Sequence, residues 1–135
     1  MRFRSLLAVP ALLIVATAVH AQSGQGQDQD AQRQSLIKMK SDLRNLVVAQ
    51  EAYFADHSAY AAEMDGLRFR NSEGVSVRLT ATQNNAWGAE ARSAELPNVA
   101  CVIWINLKEQ DRPKVGGQLI APNEGEPTCA EIKKP

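Results

Sequence analysis

Residues 36–54 read LIKMKSDLRNLVVAQEAYF, and the spacing of the apolar side chains in this stretch predicts the first element of the fold. These side chains recur at steps of three and four residues, which places them on one face of a helix. That face consists of Leu36, Met39, Leu43, Leu46 and Tyr53, with Gln50 in the remaining position and Ile37, Val47 and Phe54 widening it. No Gly or Pro occurs from Ala31 to Tyr60 to break the helix. We therefore predict a long amphipathic helix that runs to about Phe54 and packs against a sheet or another helix.

The segment before this helix has a different composition. Residues 22–34 are rich in Gln, contain Gly24 and Gly26, and carry Ala31 as their single apolar residue. Such a segment has nothing to bury, so we predict a flexible Gln/Gly-rich leader over 22–34, followed by one domain over 35–135. Asp28 or Asp30 is the expected N-cap, because a short carboxylate accepts hydrogen bonds from the free amides of a first helical turn.

The hydrophobic period changes from about 3.6 to 2 after the helix, which indicates β-strands. One strand alternates through Val75, Val77, Leu79 and Ala81, a second through Trp87, Ala89 and Ala91, and a third runs over 99–107. In the third, Cys101, Ile103, Ile105 and Leu107 share one side, and Val102, Trp104 and Asn106 share the other. Residues 108–135 are rich in Pro and Gly and read as a loop-rich tail with a short strand at 118–121. The expected class is α+β, with the helix packed on a three- to four-stranded antiparallel sheet.

The N-terminus has the pattern of a secretory signal peptide over residues 1–21. Arg2 and Arg4 precede an apolar stretch that extends to Val19, and Ala21 supplies a small residue for cleavage. The stretch is about 15 residues long, short of the roughly 20 that a spanning helix needs. Cleavage after Ala21 would leave an exported chain without a stable membrane anchor. An uncleaved anchor is the alternative.

Export determines the oxidation state expected for the two cysteines. In an oxidising compartment Cys101 and Cys129 are expected to form a disulfide that closes the C-terminal loop. In the chain-entropy model, a loop of this length stabilises the fold by about 3.5 kcal/mol. A bridge to another chain is the alternative.

The sequence offers little catalytic chemistry. The 15 basic and 15 acidic residues cancel, so no net charge attracts nucleic acid. After cleavage His57 is the single histidine. It is either a functional residue, as a general base or metal ligand, or a solvated residue in the turn after the helix. There is no nucleophile elbow, phosphate loop or dinucleotide fingerprint. We predict no catalytic residues, no cofactor and no enzymatic activity.

Aromatic residues are the candidates for an interaction surface. Trp87 and Trp104 can each stack on a ligand or a partner side chain, and Tyr60 follows the helix. Trp104 alternates with Ile103 and Ile105, so it is expected on the outer face of the sheet and is the better candidate for an exposed contact. The alternative is that one tryptophan packs under the helix.

Several stretches, taken in order, resemble the soluble head domain of the type IV pilin and type II secretion pseudopilin family. They are the helix end over 43–60, the strand start SEGVSV at 72–77, NAWGAEA at 85–91, ACVIWI at 100–105 and GEPTC at 125–129. The resemblance spans residues 36–129. It implies a pilin-like head in which the second cysteine closes the C-terminal loop. It also implies partners among the pilus or secretion-system proteins of the cell envelope. Some major pseudopilins bind calcium in a C-terminal loop, and Glu124 and Glu126 supply suitable oxygen donors, although their spacing matches no EF-hand.

The chain also departs from that family. The prepilin cleavage motif does not occur near the N-terminus, and the Gln/Gly-rich leader is expected to interrupt the continuous pilin helix. We therefore expect a minor-pilin-like or pseudopilin-like soluble head, periplasmic or secreted, without polymerising activity. The alternative function is a periplasmic or secreted ligand-binding module that uses the outer sheet face near Trp104.

Intact-mass measurement of the exported protein is expected to place its N-terminus at Gln22, because the small residue at Ala21 directs cleavage there. An exported chain that still begins at Met1 would contradict the signal-peptide prediction.

Overall fold

The structure is a computed structural model that describes residues 23–133. The predicted signal peptide over residues 1–21 lies outside the described residues. Within these residues the elements are one α-helix, α1 (Ser23–His57), two short 3-10 helices (Met64–Gly66 and Glu109–Asp111) and six strands. The strands are β1 (Val75–Gln83), β2 (Ala86–Ser93), β3 (Leu96–Ile105), β4 (Lys114–Val115), β5 (Gln118–Leu119) and β6 (Thr128–Glu131). No helix among the described residues has the length and hydropathy needed to cross a bilayer.

Four strands form one antiparallel sheet in the order β1-β2-β3-β6, and β4 and β5 pair as a separate two-stranded hairpin. Helix α1 packs on β1, β2 and β3. The predicted α+β class and antiparallel sheet are confirmed. The fourth strand of the sheet is β6, which lies in the tail that we expect from the sequence to be mainly loop. The short strand predicted at 118–121 corresponds to β5 of the hairpin.

Helix α1 begins earlier than the sequence predicted. The residues expected to form a flexible leader are helical from Ser23 onward, so the helix start predicted at Asp28 or Asp30 is wrong. The junction with the N-terminal apolar stretch, where an interruption was expected, lies outside the described residues. Every residue over 26–34 is exposed, and the residue that follows, Ser35, is buried. Gly26 costs only about 1 kcal/mol in a helix, and propagation from the packed half needs no new nucleation. The composition thus predicted correctly that this segment buries nothing, but the same composition does not prevent the segment from forming a helix.

The predicted helix face forms the core against the sheet. Met39, Leu43, Leu46 and Gln50 are fully buried, whereas Leu36, Val47 and Tyr53 pack around them partly exposed. The sheet meets this face with side chains from alternate positions of the strands, namely Val75, Val77, Trp87, Ala89, Ala91, Cys101 and Ile103.

Two backbone irregularities change the predicted alternation of the strands. The pairing of β1 with β2 shifts register between Leu79 and Ala81, and Ala81 packs in the outer cluster rather than under α1. At the end of β3, Asn106 has a positive φ of 53°, so Leu107 also joins the outer cluster. A bulge or a left-handed residue moves every later side chain to the opposite face.

The outer face of the sheet is covered by a third layer. Residues 107–121 lie over it, and Leu107, Val115 and Ala121 pack with Val102 and Trp104. Pro113 lies in this layer as well and is buried. The sheet is therefore enclosed on both sides, by α1 on one and by the C-terminal segment on the other.

The disulfide expected from the sequence is present. Cys101 and Cys129 stand directly opposite each other on β3 and β6 and are joined by an S–S bond across a sequence separation of 28. Cys101 is fully buried in the cluster beneath α1, and Cys129 packs against that cluster. The cystine thus fixes the C-terminal strand to the centre of the sheet.

Gly88 on β2 provides the first structural test. A Cβ atom at this position would lie 3.0 Å from both Leu107 Cδ1 and Pro113 Cδ and 3.1 Å from Thr80 Oγ1. We expect Gly88→Ala to lower the free energy of unfolding by about 1–3 kcal/mol, because the outer layer must move to accept the methyl group. Urea unfolding measures the change.

Gly26→Ala is the matched control for this test, since a Cβ there meets nothing within 4 Å. Alanine is the better helix former, so this variant should be as stable as the original chain or slightly more stable. Equal stability of the two variants would contradict the close packing of the outer layer on Gly88.

Candidate functional site

A surface groove of about 550 Å³ runs along the last turns of α1. One wall and the floor come from the helix, and the other wall comes from the loop that follows it. The lining residues are Asn45, Val48, Ala49, Ala52, Tyr53, Asp56, His57, Gly66 and Arg68.

Buried polar side chains of α1 hold this loop in place. Gln50 brackets Ala61, donating from Nε2 to its carbonyl oxygen at 3.1 Å and accepting from its amide at 2.8 Å. Further back along the helix, Asp42 accepts hydrogen bonds from the amide of Ser72 at 2.8 Å and from its hydroxyl at 2.7 Å. The loop therefore runs antiparallel to α1 between two fixed points, and the groove lies between them.

An aromatic stack lies at the C-terminal end of the groove. The rings of Tyr53 and His57 are parallel to within 11°, with centroids 3.9 Å apart. His57 donates from Nδ1 to the Tyr53 carbonyl oxygen, one helical turn earlier, at 2.9 Å. Gly66 packs against the Tyr53 ring, since a Cβ on this glycine would lie 3.4 Å from Cε2.

The groove combines an apolar surface with isolated charges. Val48 is 70% exposed, more than either of the other two exposed large apolar side chains of the described residues, Ile37 and Leu119. Asp56 and Arg68 are exposed at the rim, and neither forms an ion pair within residues 23–133. This size and mixture of surfaces fit either a small amphiphilic ligand or the side of another helix.

The groove was missed in the sequence analysis because the loop wall depends on hydrogen bonds between distant residues. One local signal could have indicated it. Val48 is apolar but lies off the predicted buried face of α1, between the polar residues Arg44 and Asn45 and the acidic Glu51.

The prediction that Trp104 offers an exposed contact is wrong. It does point away from α1, as predicted, but it is only 5% exposed. Its indole nitrogen donates to the Ala121 carbonyl oxygen at 2.9 Å, and the Arg112 guanidinium lies 3.7 Å above its ring. The C-terminal segment that makes these contacts covers the outer sheet face on which a ligand site was expected.

Trp87 and Tyr60 come together on the other side of the sheet. Trp87 is fully buried beneath α1, so the alternative that one tryptophan packs under the helix is correct for this residue. Its Nε1 is the one buried side-chain nitrogen or oxygen among the described side chains of residues 26–133 that lacks a hydrogen-bond partner. Tyr60 is half-buried and packs edge-on against Trp87, with centroids 6.3 Å apart.

The acidic C-terminal loop uses its carboxylates to hold itself in place. Glu124 accepts a hydrogen bond from the Asn106 amide at 2.8 Å, and Glu126 accepts one from Asn123 Nδ2 at the same distance. Gly125 donates its amide to the Trp104 carbonyl oxygen at 3.0 Å. Within residues 23–133, no three His, Cys, Asp or Glu side chains lie close enough to hold a metal ion, so the calcium interpretation finds no third ligand of these types.

A buried carboxylate lies on the outer sheet face. Glu90 has a side chain only 5% exposed, and its Oε1 accepts from Arg92 Nε at 2.8 Å and from an Arg78 terminal nitrogen at 3.2 Å. Two guanidinium groups thus compensate the burial of one charge, which fits a packing role.

Comparison with protein-family models, with curated proteins and with solved structures finds no match for this chain. What the groove binds is therefore inferred from its own residues.

The surroundings of Tyr60 alter its acidity. Burial, together with the hydrogen bond that its hydroxyl donates to Glu51 at 2.7 Å and the negative charges of Glu51 and Glu124, raises the pKa of Tyr60 from 10.0 to about 12. Because the folded value exceeds the unfolded one, the resulting stabilisation is complete below pH 10.0 and is lost as the pH rises through about 12.

Glu51→Gln is expected to lower the pKa of Tyr60 toward its ordinary value, because it removes the anionic acceptor while burial remains. Alkaline titration of tyrosinate absorbance measures this change, and Tyr60→Phe identifies which of the two tyrosines is responsible. Superimposable titration curves for the original chain and Glu51→Gln would show that Glu51 does not act on Tyr60.

Proposed function

We propose that this protein is an exported, non-enzymatic interaction protein with a pilin-type head that acts with type IV pilus or type II secretion proteins of the cell envelope. The observation that carries the proposal is the shape of α1. This helix has 35 residues, its second half packs on a four-stranded antiparallel sheet, and its residues 26–34 are exposed on every side. A head with a continuous helical extension can be attached to an assembly through that extension.

The positions of the pilin-like stretches support this proposal. The stretch over 43–60 ends α1, and those at 85–91 and 100–105 lie mostly or wholly within β2 and β3. The GEPTC stretch at 125–129 leads into β6, where Cys129 pairs with Cys101. Elements and sequence stretches therefore occur in the order that the resemblance implies.

The cystine supports export, because disulfides persist in oxidising compartments. Together with the signal-peptide pattern, the cystine supports a location in the periplasm or outside the cell. The non-enzymatic part of the proposal rests on the sequence, which offers one histidine after cleavage and no free thiol once the cystine has formed.

Ligand binding remains the second candidate function, but the candidate site is the α1 groove and not the outer face of the sheet. The outer sheet face near Trp104 is covered, whereas the α1 groove of about 550 Å³ falls within the 300–1,000 Å³ range typical of ligand pockets. A ligand would therefore bind along Val48 and Tyr53 rather than on Trp104.

Capture from an envelope extract tests the main proposal. The original chain is expected to recover pilus or secretion-system proteins, and Gln29→Pro should recover far less, because a proline inside the exposed extension breaks the helix. The break should leave the thermal midpoint of the head nearly unchanged, since residues 26–34 are exposed.

Gln29→Ala is the matched control, because it changes the same exposed side chain and keeps the helix. It should capture as well as the original chain. If no bait recovers an envelope assembly protein, while a small molecule raises the thermal midpoint of the original chain and not that of a Val48→Asp variant, the ligand-binding function is correct instead.

A further inference from the structure

Four exposed residues form a ridge along the solvent side of α1. Arg44, Val48, Ala52 and Asp56 follow one another at four-residue steps, and all four are exposed. Side chains at this spacing form the inclined rows by which helices pack against one another. The last three line the groove, so the ridge borders a depression of matching direction.

Two residues of this ridge suit an isolated helix poorly. Val48 leaves an apolar, β-branched side chain 70% exposed. Asp56 places a negative charge in the last turn of α1, where the partial charge of the helix dipole is also negative. Neither Asp56 nor Arg44 has an ion-pair partner within residues 23–133. Local misfits of this kind mark positions where another requirement overrides helix stability.

The order of the ridge residues is complementary to its own reverse. A second α1 running in the opposite direction, with the midpoint of the contact between Val48 and Ala52, sets Val48 against Ala52. Arg44 then lies against Asp56 at both ends of the contact. The charged ends lie about 18 Å apart along the helix, with the apolar pair between them. Since the charges are opposite, each end of the contact forms an attractive pair.

The groove supplies the room that this arrangement needs. Its floor contains Asn45, Ala49 and Tyr53, and the small side chain of Ala49 lies beside Val48 and Ala52. When rows at four-residue spacing interdigitate, two helices cross at about −50°, the commonest packing class in globular proteins. The ridge of one helix can then enter the groove between the other helix and its Gly66–Arg68 wall.

We propose that the groove is occupied by a second copy of this chain, forming a two-fold symmetric dimer through antiparallel α1 ridges. The charge pattern favours this occupant, because each ridge carries the complement that its reversed copy requires. In such an interface each residue contact occurs twice, so Arg44 of one protomer meets Asp56 of its partner in both directions. The proposal goes beyond the proposed function and holds whether or not an envelope protein also binds.

The dimer is expected to be weak. We expect a contact of one helix pair with a single loop on each side to be small beside standard interfaces, which begin at roughly 1,200 Å² of buried surface. Association in the micromolar range follows, so the dimer forms only as the concentration rises.

Sedimentation of the purified exported protein over roughly 1–300 µM tests the proposal, since this range spans a weak contact. The original chain should change from monomer to dimer. Arg44→Glu and Asp56→Arg should each weaken the dimer about tenfold or more, because each sets like charges together at both ends. The double variant Arg44→Glu/Asp56→Arg should regain most of the lost affinity, since both pairs are then opposite in charge again.

Two further variants complete the test. Val48→Asp should abolish the dimer by placing a charge at the centre of the contact. Lys114→Glu makes the same change in net charge as Arg44→Glu but lies on the exposed surface of the outer layer, and it should leave the dimer unchanged. Far-ultraviolet circular dichroism confirms that each variant is folded.

Several outcomes would overturn the proposal. A chain that stays monomeric throughout the range, a dimer insensitive to both single charge reversals, or a double variant no tighter than the single variants each exclude the antiparallel pairing. A monomer whose groove binds a small ligand or a different protein also excludes the antiparallel pairing. Since this measurement uses pure protein, its failure leaves the capture experiment and the proposed function to be judged separately.

Discussion

Burial of both faces of β3 is the constraint on which the rest of the structure depends. Cys101 and Ile103 face α1, while Val102 and Trp104 face the C-terminal layer. A strand enclosed on both sides needs a complete layer on each. One layer is supplied by the apolar stripe of α1. The other is supplied by a segment that lacks long elements of its own and must be fixed in place.

The way in which that outer layer is fixed explains several otherwise unrelated residues. Glycine at position 88 lets Leu107 and Pro113 approach the sheet closely, and Arg112 covers the ring of Trp104. The cystine between Cys101 and Cys129 returns the chain to the sheet after it has crossed the outer face. On the other side, buried Gln50 and Asp42 perform a comparable task for the loop after α1, and the groove results from where they hold it.

The sequence predicted those features that depend on local periodicity. The stripe of α1, the alternation within β2 and β3 and the cystine follow from spacing and compartment. Periodicity states which residues share a face but not what covers that face, so Trp104 was assigned correctly to the outer side and wrongly to solvent. Little in the sequence indicates that Asn106 has a positive φ, and this backbone conformation ends the alternation before Leu107. The groove could not be predicted, because its loop wall depends on a glutamine and an aspartate bonding to residues 11 and 30 positions away.

The two tryptophans stand in different layers, Trp87 beneath the helix and Trp104 beneath the C-terminal segment. Each layer therefore carries its own intrinsic fluorophore. With one of them replaced by phenylalanine, the emission of the other reports the solvent exposure of a single layer. Stopped-flow unfolding of the two replacements would show whether the helix and the C-terminal segment leave the sheet together or one after the other, without any attached dye.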